Sequence, residues 1–192
     1  FIAVDEAHCI SEWGYDFRPS YLKIAELRTM YPDVPIMALT ASATLDVITD
    51  IKDKLAFRES SNMFQASVER NNLYYVVRQT DNKDAQLFKI VTAVGGSAIV
   101  YTRTRDGAEK VAKMLQSMEF SADYYHAGLE GYERRKRQNS WMQGETRILC
   151  ATNAFGMGID KSDVRIVVHY DIPDALEQYY QDGPFLQHVS RP

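Results

Sequence analysis

The sequence has few cysteines and no long hydrophobic run, and each absence excludes a class of protein. Cys9 and Cys150 are the only cysteines among the 192 residues, and they form no Cys-x-x-Cys pair. This usage excludes a zinc ribbon or a disulfide scaffold within the chain and fits a reducing cytosol. No stretch reaches the ~18 apolar residues of a membrane span. The opening residues lack a basic region and a long apolar core, so we expect no signal peptide there.

A strong charge of either sign is also lacking. The formal net charge is −4. Any contact with nucleic acid must therefore come from a local basic surface and not from a bulk cationic field. Hydrophobic residues make up 45% and charged residues 25% of the chain, which is typical of a globular protein and excludes disorder or a collagen-like structure.

Short apolar runs alternate with segments of helical spacing. Continuous apolar runs predict strands that are buried on both faces of a parallel sheet, and they occupy residues 1–4, 36–39, 98–101, 148–151 and 166–169. One helical stripe is formed by Ala108, Val111, Ala112 and Leu115. A less complete stripe is formed by Ile48, Ile51 and Leu55, with Thr44 as a candidate N-cap. The alternation predicts an α/β fold with right-handed crossovers.

The alternation is interrupted near residues 66–83. Residues 73–77, Leu-Tyr-Tyr-Val-Val, are predicted to form a strand, and the polar residues 79–84 a turn. We place a domain boundary here, which divides the chain into residues 1–67 and 68–192. The first piece is too short to be a complete α/β domain, because its sheet would leave the core open. We therefore expect the chain to be a fragment of a longer protein.

An acidic pair follows the first predicted strand. Asp5 and Glu6 lie at the carboxyl end of that strand, which is the edge where open α/β sheets bind ligands. Hydrolysis of a nucleoside triphosphate needs one carboxylate that holds Mg²⁺ through water and another that deprotonates the attacking water. Asp5 suits the first role and Glu6 the second. Taken alone, such a pair is more commonly a solvated strand end.

The residues around this pair resemble the RecQ family of superfamily 2 DNA helicases. Residues 4–19 read Val-Asp-Glu-Ala-His-Cys-Ile-Ser-Glu-Trp-Gly-Tyr-Asp-Phe-Arg-Pro, the family's motif II and aromatic-rich loop, although the family usually has Gln at position 12 and His at position 15. Further motifs follow in the family's order at residues 38–44 (Ala-Leu-Thr-Ala-Ser-Ala-Thr), 99–105 (Ile-Val-Tyr-Thr-Arg-Thr-Arg), 125–129 (Tyr-His-Ala-Gly-Leu) and 151–161 (Ala-Thr-Asn-Ala-Phe-Gly-Met-Gly-Ile-Asp-Lys). The resemblance covers residues 1 to about 182.

The resemblance implies two RecA-like parallel-sheet domains, the first truncated at its N-terminus and the second nearly complete. It implies an ATP-dependent 3′→5′ DNA helicase that binds ATP and Mg²⁺ between the domains. The implied substrates are single-stranded and partially duplex DNA, and the implied processes are recombination and repair. Protein partners stay unknown. We expect an intracellular location, in the cytoplasm or nucleoid, and no membrane association.

The resemblance also assigns roles to residues of the first piece. Trp13, Tyr15, Phe17 and Arg18 would sense DNA by stacking and phosphate pairing and signal to the ATP site; the alternative is that Trp13 and Phe17 are core residues. Motif III hydroxyls would relay changes at the acidic pair, and they belong to Thr40, Ser42 and Thr44. Their alternative role is helix capping. His8 would join the same network, although a lone histidine is usually structural.

In the second piece, the resemblance points to DNA backbone contacts and a nucleotide contact. Thr152 and Asn153 follow the strand at 148–151 and would grip phosphates. Further candidate backbone contacts are Arg103, His126 and Gly128. Gly158 and Asp160 would lie near the nucleotide or the domain interface. Residues 133–137 form a basic run on a predicted helix, for which a solvated face is favoured over a DNA patch.

Two elements of the family are missing. No Gly-x-x-x-x-Gly-Lys-Ser/Thr loop occurs in the sequence, and residues 183–192 do not match the arginine-finger motif. We therefore expect the chain alone to be inactive as an ATPase. One alternative is a non-catalytic nucleic-acid-binding module derived from a helicase. A further alternative, an RNA helicase of the Asp-Glu-Ala-His type, is disfavoured by the tryptophan-containing loop at residues 11–19.

Overall fold

The structure is a computed structural model that describes residues 1–13, 16–41, 43–65, 72–156, 159 and 161–172. The chain divides into two compact units, Phe1–Val68 and Glu69–Pro192. Across the described residues, none of the helices is both long enough and apolar enough to cross a membrane.

The first unit contains a two-stranded parallel sheet and the helices that follow each strand. Its strands are β1 (Ile2–Val4) and β2 (Ile36–Ala38), which pair with Ile2 opposite Ile36. Its α-helices are α1 (Glu26–Met30) and α2 (Leu45–Lys54), and short 3-10 helices occupy Ala7–Ile10 and Pro19–Ala25. Thr44 caps α2 as predicted, because its hydroxyl accepts a hydrogen bond from the Val47 amide at 3.4 Å.

The core of the first unit lies between the sheet and α2. It consists of Val4, Ala7, Ile10, Val47, Ile51 and Leu55. The predicted stripe on α2 is therefore confirmed in Ile51 and Leu55, and Val47 completes it in place of Ile48. The strands are only partly buried, in contrast to the prediction of strands buried on both faces. A sheet of two short strands has two edges and no central strand, so few of its side chains can be enclosed.

The described residues of the second unit form a four-stranded, fully parallel sheet with helices on its faces. Its strands are β3 (Ser97–Tyr101), β4 (Ala122–Tyr125), β5 (Ile148–Ala151) and β6 (Val164–His169), in the spatial order β4-β5-β3-β6. Its helices are α3 (Lys83–Ala93), α4 (Arg105–Ser117) and α5 (Gly131–Met142). The α/β class and the parallel sheets predicted from the sequence are thus confirmed.

The two central strands of this sheet explain the continuous apolar runs. Every residue of β3 and β5 is buried, and alternate side chains enter different clusters. Val100 packs with residues of α3 and α4, whereas Ile99 and Leu149 pack with Trp141 of α5. The predicted stripe on α4 is buried in full. Apolar residues at consecutive positions are needed because both faces of these strands are covered.

One strand prediction was wrong, and one strand was missed. Residues 73–77 form no strand, and Tyr74 and Val77 are 84% and 93% exposed. Within the described part of the chain, no strand pairs with this segment. Its residue types favour a strand, but a strand also needs a neighbour with which to form hydrogen bonds. Conversely, β4 was not predicted, because Asp123 and two tyrosines break its apolar run. It lies at one edge of the sheet, where half-buried polar and aromatic residues are tolerated.

The α3 helix offers a matched test of the core. Val91 is fully buried in the cluster between the sheet and α3, whereas Val94, just after the helix, is 40% exposed. We expect Val91→Ala to lower the free energy of unfolding by about 2 kcal/mol, because it removes two buried methyl groups and leaves a cavity. Val94→Ala should change it by less than ~0.5 kcal/mol. Urea unfolding followed by circular dichroism measures both; equal effects would contradict this packing.

Candidate functional site

The acidic pair lies in a tight turn directly after β1. Asp5 is exposed, and its Oδ1 accepts a hydrogen bond from the Glu6 amide at 2.9 Å. Glu6 has a φ of 48°, in the left-handed region, and it immediately precedes the 3-10 helix Ala7–Ile10. A residue other than glycine in this region is uncommon and is found where the surrounding structure holds it. The turn sends the strand directly into the short helix that carries His8.

His8 connects the acidic pair with the motif that follows β2. Its side chain is 2% exposed, and its Nδ1 lies 2.9 Å from the Thr40 hydroxyl and 3.4 Å from Glu6 Oε2. Burial lowers the pKa of His8, and the nearby Glu6 carboxylate only partly offsets this. A neutral imidazole carries a single ring proton, and the tautomer with this proton on Nδ1 would donate to the Thr40 or Glu6 oxygen.

Backbone hydrogen bonds hold these two segments together beyond the end of the sheet. The Leu39 amide donates to the Val4 carbonyl at 2.8 Å, and the Ala7 amide donates to the Leu39 carbonyl at 2.9 Å. The pairing of β1 with β2 therefore continues by one residue and brings Thr40 beside the Ala7–Ile10 helix. Of the motif III hydroxyls, Thr40 contacts His8, which in turn contacts Glu6, whereas Ser42 lies outside the described residues.

The tryptophan-bearing loop, residues 11–19, exposes its tryptophan and is held by contacts of Phe17 and Arg18. Trp13 is 75% exposed, which excludes the alternative that this ring is a core residue. Phe17 is half-buried, and Lys54 Nζ lies 5.8 Å from the centre of its ring. Arg18 pairs with Asp16, and its amide donates to the Cys9 carbonyl at 2.8 Å. Tyr15 lies outside the described residues.

The same loop is tied to α2 by polar contacts that the sequence did not suggest. The Ser11 hydroxyl donates to Asp50 Oδ2 at 2.7 Å, and Lys54 donates to the Ile10 carbonyl at 3.3 Å. Thr44 caps the beginning of this helix, so its capping role is the one observed. These contacts join residues about 40 positions apart, and no local pattern predicts such pairs.

Cys9 and Asp16 are further members of the site that sequence reasoning missed. The Cys9 sulfur lies 3.7 Å from His8 Nε2 and 3.5 Å from Asp16 Oδ2. Burial, helped by the Asp16 carboxylate, raises the pKa of the Cys9 thiol to about 11. The thiol is therefore protonated near neutral pH. The only available signal was that both residues lie within the RecQ-like segment 4–19.

In the second unit, the carboxyl ends of three adjacent strands bring several predicted residues to one edge. Tyr125 and Tyr101 both pair with Ala151, so the residues that follow these strands form a row. Thr152 is buried, and its amide donates to the Tyr125 carbonyl at 3.2 Å, whereas Asn153 is exposed. This row is the edge at which parallel α/β sheets bind ligands.

His126 and Arg103 stand beside this row in different environments. His126 is buried, stacks on Tyr124, and places Nε2 3.2 Å from Glu109 Oε1. Arg103 is exposed; its amide donates to Asp171 Oδ2 at 3.0 Å, and its guanidinium donates to the Ile172 carbonyl at 3.1 Å.

Gly128 also lies near this row, and its lack of a side chain has a consequence. A Cβ atom there would come within 3.0 Å of the Arg105 guanidinium. The glycine thus allows the arginine to lie against the backbone. Gly158 and Asp160, the predicted nucleotide contacts, lie outside the described residues.

The basic run at residues 133–137 belongs to α5, as predicted. Arg137 points inward, pairs with Asp123, and lies 4.0 Å from the centre of the Tyr124 ring. Arg135 and Lys136 are exposed. One cation of the run therefore stabilises the packing of α5 on β4, while others form a solvated face.

Comparison with known proteins identifies the family. The profile described as helicase conserved C-terminal domain matches residues 82–182, more than half of the chain. The RecQ-like DNA helicase blm-1 of Caenorhabditis elegans is 45% identical over 186 residues, covering 93% of this chain and 18% of that protein. The ATP-dependent DNA helicase RecQ of Pasteurella multocida is 42% identical over 183 residues, covering 95% of this chain and 29% of that protein. The chain thus spans less than a third of these relatives.

A solved structure shares the fold. S. cerevisiae Dbp5 bound to RNA and ADP BeF3 aligns with 95% of this chain and 49% of that chain, with a TM-score of 0.73 and 20% sequence identity. The chain belongs to the family of helicases that carry the conserved C-terminal domain. Within that class, the resemblance to RecQ helicases inferred from its motifs is confirmed by the blm-1 and RecQ relatives.

Proposed function

We propose that the chain is part of an ATP-dependent 3′→5′ DNA helicase of the RecQ type. In the complete protein, hydrolysis of ATP would drive translocation on single-stranded DNA and unwinding of duplex DNA in recombination and repair. The observation that carries this proposal is the contact of His8 with both Glu6 and Thr40, beside a loop that exposes Trp13. Glu6, the proposed catalytic carboxylate, and Trp13, the proposed base-stacking side chain, belong to one short segment, which supports the proposal.

The residues present fit a magnesium nucleotide. Magnesium ions prefer oxygen ligands and keep several waters, and the exposed Asp5 carboxylate is suited to bind such a hydrated ion through water. Bound ATP would supply the phosphoryl group, and bound Mg²⁺ would neutralise part of its negative charge. Glu6 would orient the attacking water and accept its proton, because a carboxylate within hydrogen-bonding distance of a water molecule can act as a general base.

His8 and Thr40 would couple this reaction to the DNA-facing loop. A neutral His8 ring contacts both Glu6 and Thr40, so it would move with a displacement of either one. Cys9 lies between the ring and Asp16, and Asp16 pairs with Arg18. A movement at Arg18 caused by a DNA phosphate would thus reach the carboxylate through neighbouring side chains.

The DNA contacts are assigned to both pieces of the chain. Trp13, Tyr15 and Phe17 would stack on bases, and Arg18 would pair with phosphate. Ser42 and Thr44 would support the relay from the following loop. The second piece would contribute phosphate contacts from Arg103, His126, Gly128, Thr152 and Asn153, and nucleotide contacts from Gly158 and Asp160. The Asn153 and Arg103 side chains are exposed at the sheet edge, which supports their assignment.

We further propose that residues 1–67 belong to the first RecA-like domain of the helicase and residues 68–192 to the second. ATP would bind between these domains, and closure of the cleft would move the DNA. Single-stranded and partially duplex DNA would be the partners, and the location would be intracellular. The cytoplasm or nucleoid is the location that the resemblance to bacterial members of the family implies.

A second candidate is a DNA-binding module without catalysis. Residues 1–192 contain no Gly-x-x-x-x-Gly-Lys-Ser/Thr loop. Both candidates predict that the 192-residue chain alone hydrolyses no ATP above background with single-stranded DNA present. That loop supplies the backbone amides and the lysine that hold the phosphates. Phosphate release by the purified chain measures this, and DNA-stimulated turnover would contradict it.

The complete protein that contains this chain separates the two candidates, because only a helicase would hydrolyse ATP when DNA is bound. We expect Glu6→Gln to lower kcat for DNA-stimulated ATP hydrolysis by about 100-fold or more, because the amide cannot accept the proton of the attacking water. The matched control is Glu12→Gln, the same change at an exposed carboxylate of the adjoining loop, which should retain activity. Unchanged hydrolysis in the Glu6 variant would refute the catalytic assignment.

The exposed tryptophan gives a separate test of DNA binding. We expect Trp13→Ala in the complete helicase to weaken binding of single-stranded DNA about 5- to 150-fold, as expected for the loss of one stacking partner. Trp13→Phe retains an aromatic face and should recover most of the affinity. Fluorescence anisotropy of labelled DNA at fixed salt measures both variants, and thermal unfolding should be unchanged because the ring is exposed. Equal affinity of the alanine variant would contradict the role.

A further inference from the structure

Three side chains of different chemistry converge beneath the tryptophan-bearing loop. His8, Cys9 and Asp16 each offer one ligand atom, and these atoms all lie within 4.8 Å of one another. His8 and Cys9 are buried, whereas Asp16 is half-buried. An imidazole nitrogen, a sulfur and a carboxylate oxygen form a set of ligands that zinc and similar divalent cations bind.

Two of the three distances between pairs of ligand atoms agree with tetrahedral coordination of zinc. Zinc binds sulfur at about 2.3 Å and nitrogen or oxygen at about 2.0–2.2 Å, so sulfur and its neighbours should lie about 3.6 Å apart in a tetrahedron. The Cys9 sulfur lies 3.7 Å from His8 Nε2 and 3.5 Å from Asp16 Oδ2. The ligand atoms of His8 and Asp16 lie within 4.8 Å of each other, and a tetrahedral site would place them about 3.3 Å apart.

The surroundings hold two of these ligands in orientation. The Thr40 hydroxyl lies 2.9 Å from Nδ1 of His8, the ring nitrogen opposite the one that faces Cys9. Metal-binding histidines commonly place their second nitrogen on such a partner, which fixes the ring and its tautomer. Arg18 pairs with Asp16, and a carboxylate has enough acceptor sites to hold a guanidinium and a cation together.

We propose that His8, Cys9 and Asp16 form a binding site for Zn²⁺ or a chemically similar divalent cation. Binding replaces the proton of the Cys9 thiol with the metal, and this proton passes to solvent. The resulting thiolate and the Asp16 carboxylate balance the two positive charges of the cation, while His8 binds as a neutral ligand. Three protein ligands leave a fourth position for water. The site is distinct from Asp5, which would hold Mg²⁺ through water.

Cobalt(II) provides a direct test, since a tetrahedral cobalt–thiolate site absorbs strongly in the near ultraviolet and the visible. We expect the purified 192-residue chain, without a tag, to bind one Co²⁺ with a thiolate charge-transfer band. Zn²⁺ added in equal amount should abolish this band by displacement. This readout needs neither ATP nor DNA, so it stands or fails independently of the proposed helicase activity.

Matched variants locate the site. Cys9→Ala should abolish the charge-transfer band, whereas Cys150→Ala, the same change at the other buried cysteine, should retain it. Asp16→Asn should weaken Co²⁺ binding at least ~10-fold, and Thr40→Val should weaken it about 10-fold by releasing the ring. Circular dichroism confirms the folding of each variant. If Cys9→Ala fails to fold, Asp16→Asn decides the question, because Asp16 is only half-buried.

Several results would overturn the site. A weak octahedral cobalt spectrum without a thiolate band would show that Cys9 is not a ligand. The same conclusion follows if the band persists in Cys9→Ala or disappears only in Cys150→Ala. Unaltered affinity in Asp16→Asn would remove the carboxylate from the site and refute the three-ligand arrangement.

Discussion

The pairing of β1 with β2 is the interaction on which the candidate site depends. This ladder is only three residues long, yet it is extended by the hydrogen bonds of Leu39 with Val4 and of Ala7 with Leu39. Because the strands are parallel, their carboxyl ends meet at one edge, and Glu6, His8 and Thr40 are brought together there. Residues 32 positions apart thus contact one another without any long side chain.

The second unit uses the same constraint on a larger scale. Its four parallel strands end at one edge, and β3, β4 and β5 are followed directly by the polar residues Thr102, His126 and Thr152. Burial of β3 and β5 on both faces makes this edge rigid, because Trp141 and Phe155 fill one side and α3 and α4 cover the other. This packed frame holds Thr152, which begins the loop after β5, while Asn153 beside it is exposed.

Much of the fold could be predicted from the sequence because burial leaves a periodic signal. The apolar runs of β3 and β5 and the stripe on α4 follow directly from covered faces, and Thr44 followed from the chemistry of helix caps. The signal fails where burial is partial. The β4 edge strand is half polar, and residues 73–77 have strand composition without a neighbouring strand within the described residues. The composition of a segment indicates its propensity to form a strand, whereas the pairing of that strand depends on residues far away in the chain.

The candidate site also contains residues that could be predicted from the sequence and contacts that could not. Asp5, Glu6, His8 and Trp13 were predictable because they share one continuous motif. The contact of Cys9 with Asp16 was not, since it arises only when the loop folds back and the Arg18 amide binds the Cys9 carbonyl. The ties from Ser11 and Lys54 to their partners escaped prediction for the same reason. The residues of a continuous motif can be identified from the sequence, whereas the way in which a loop folds back depends on contacts with distant residues.

The two tryptophans stand in opposite surroundings, and this has a practical consequence. Trp13 is largely in water, whereas Trp141 is sealed beneath the sheet and donates its indole N–H to the Ala98 carbonyl at 3.3 Å. An indole in water emits at longer wavelength than one in an apolar interior. The red and blue flanks of a single emission spectrum therefore report separately on the loop and on the body of the other unit, without any attached dye.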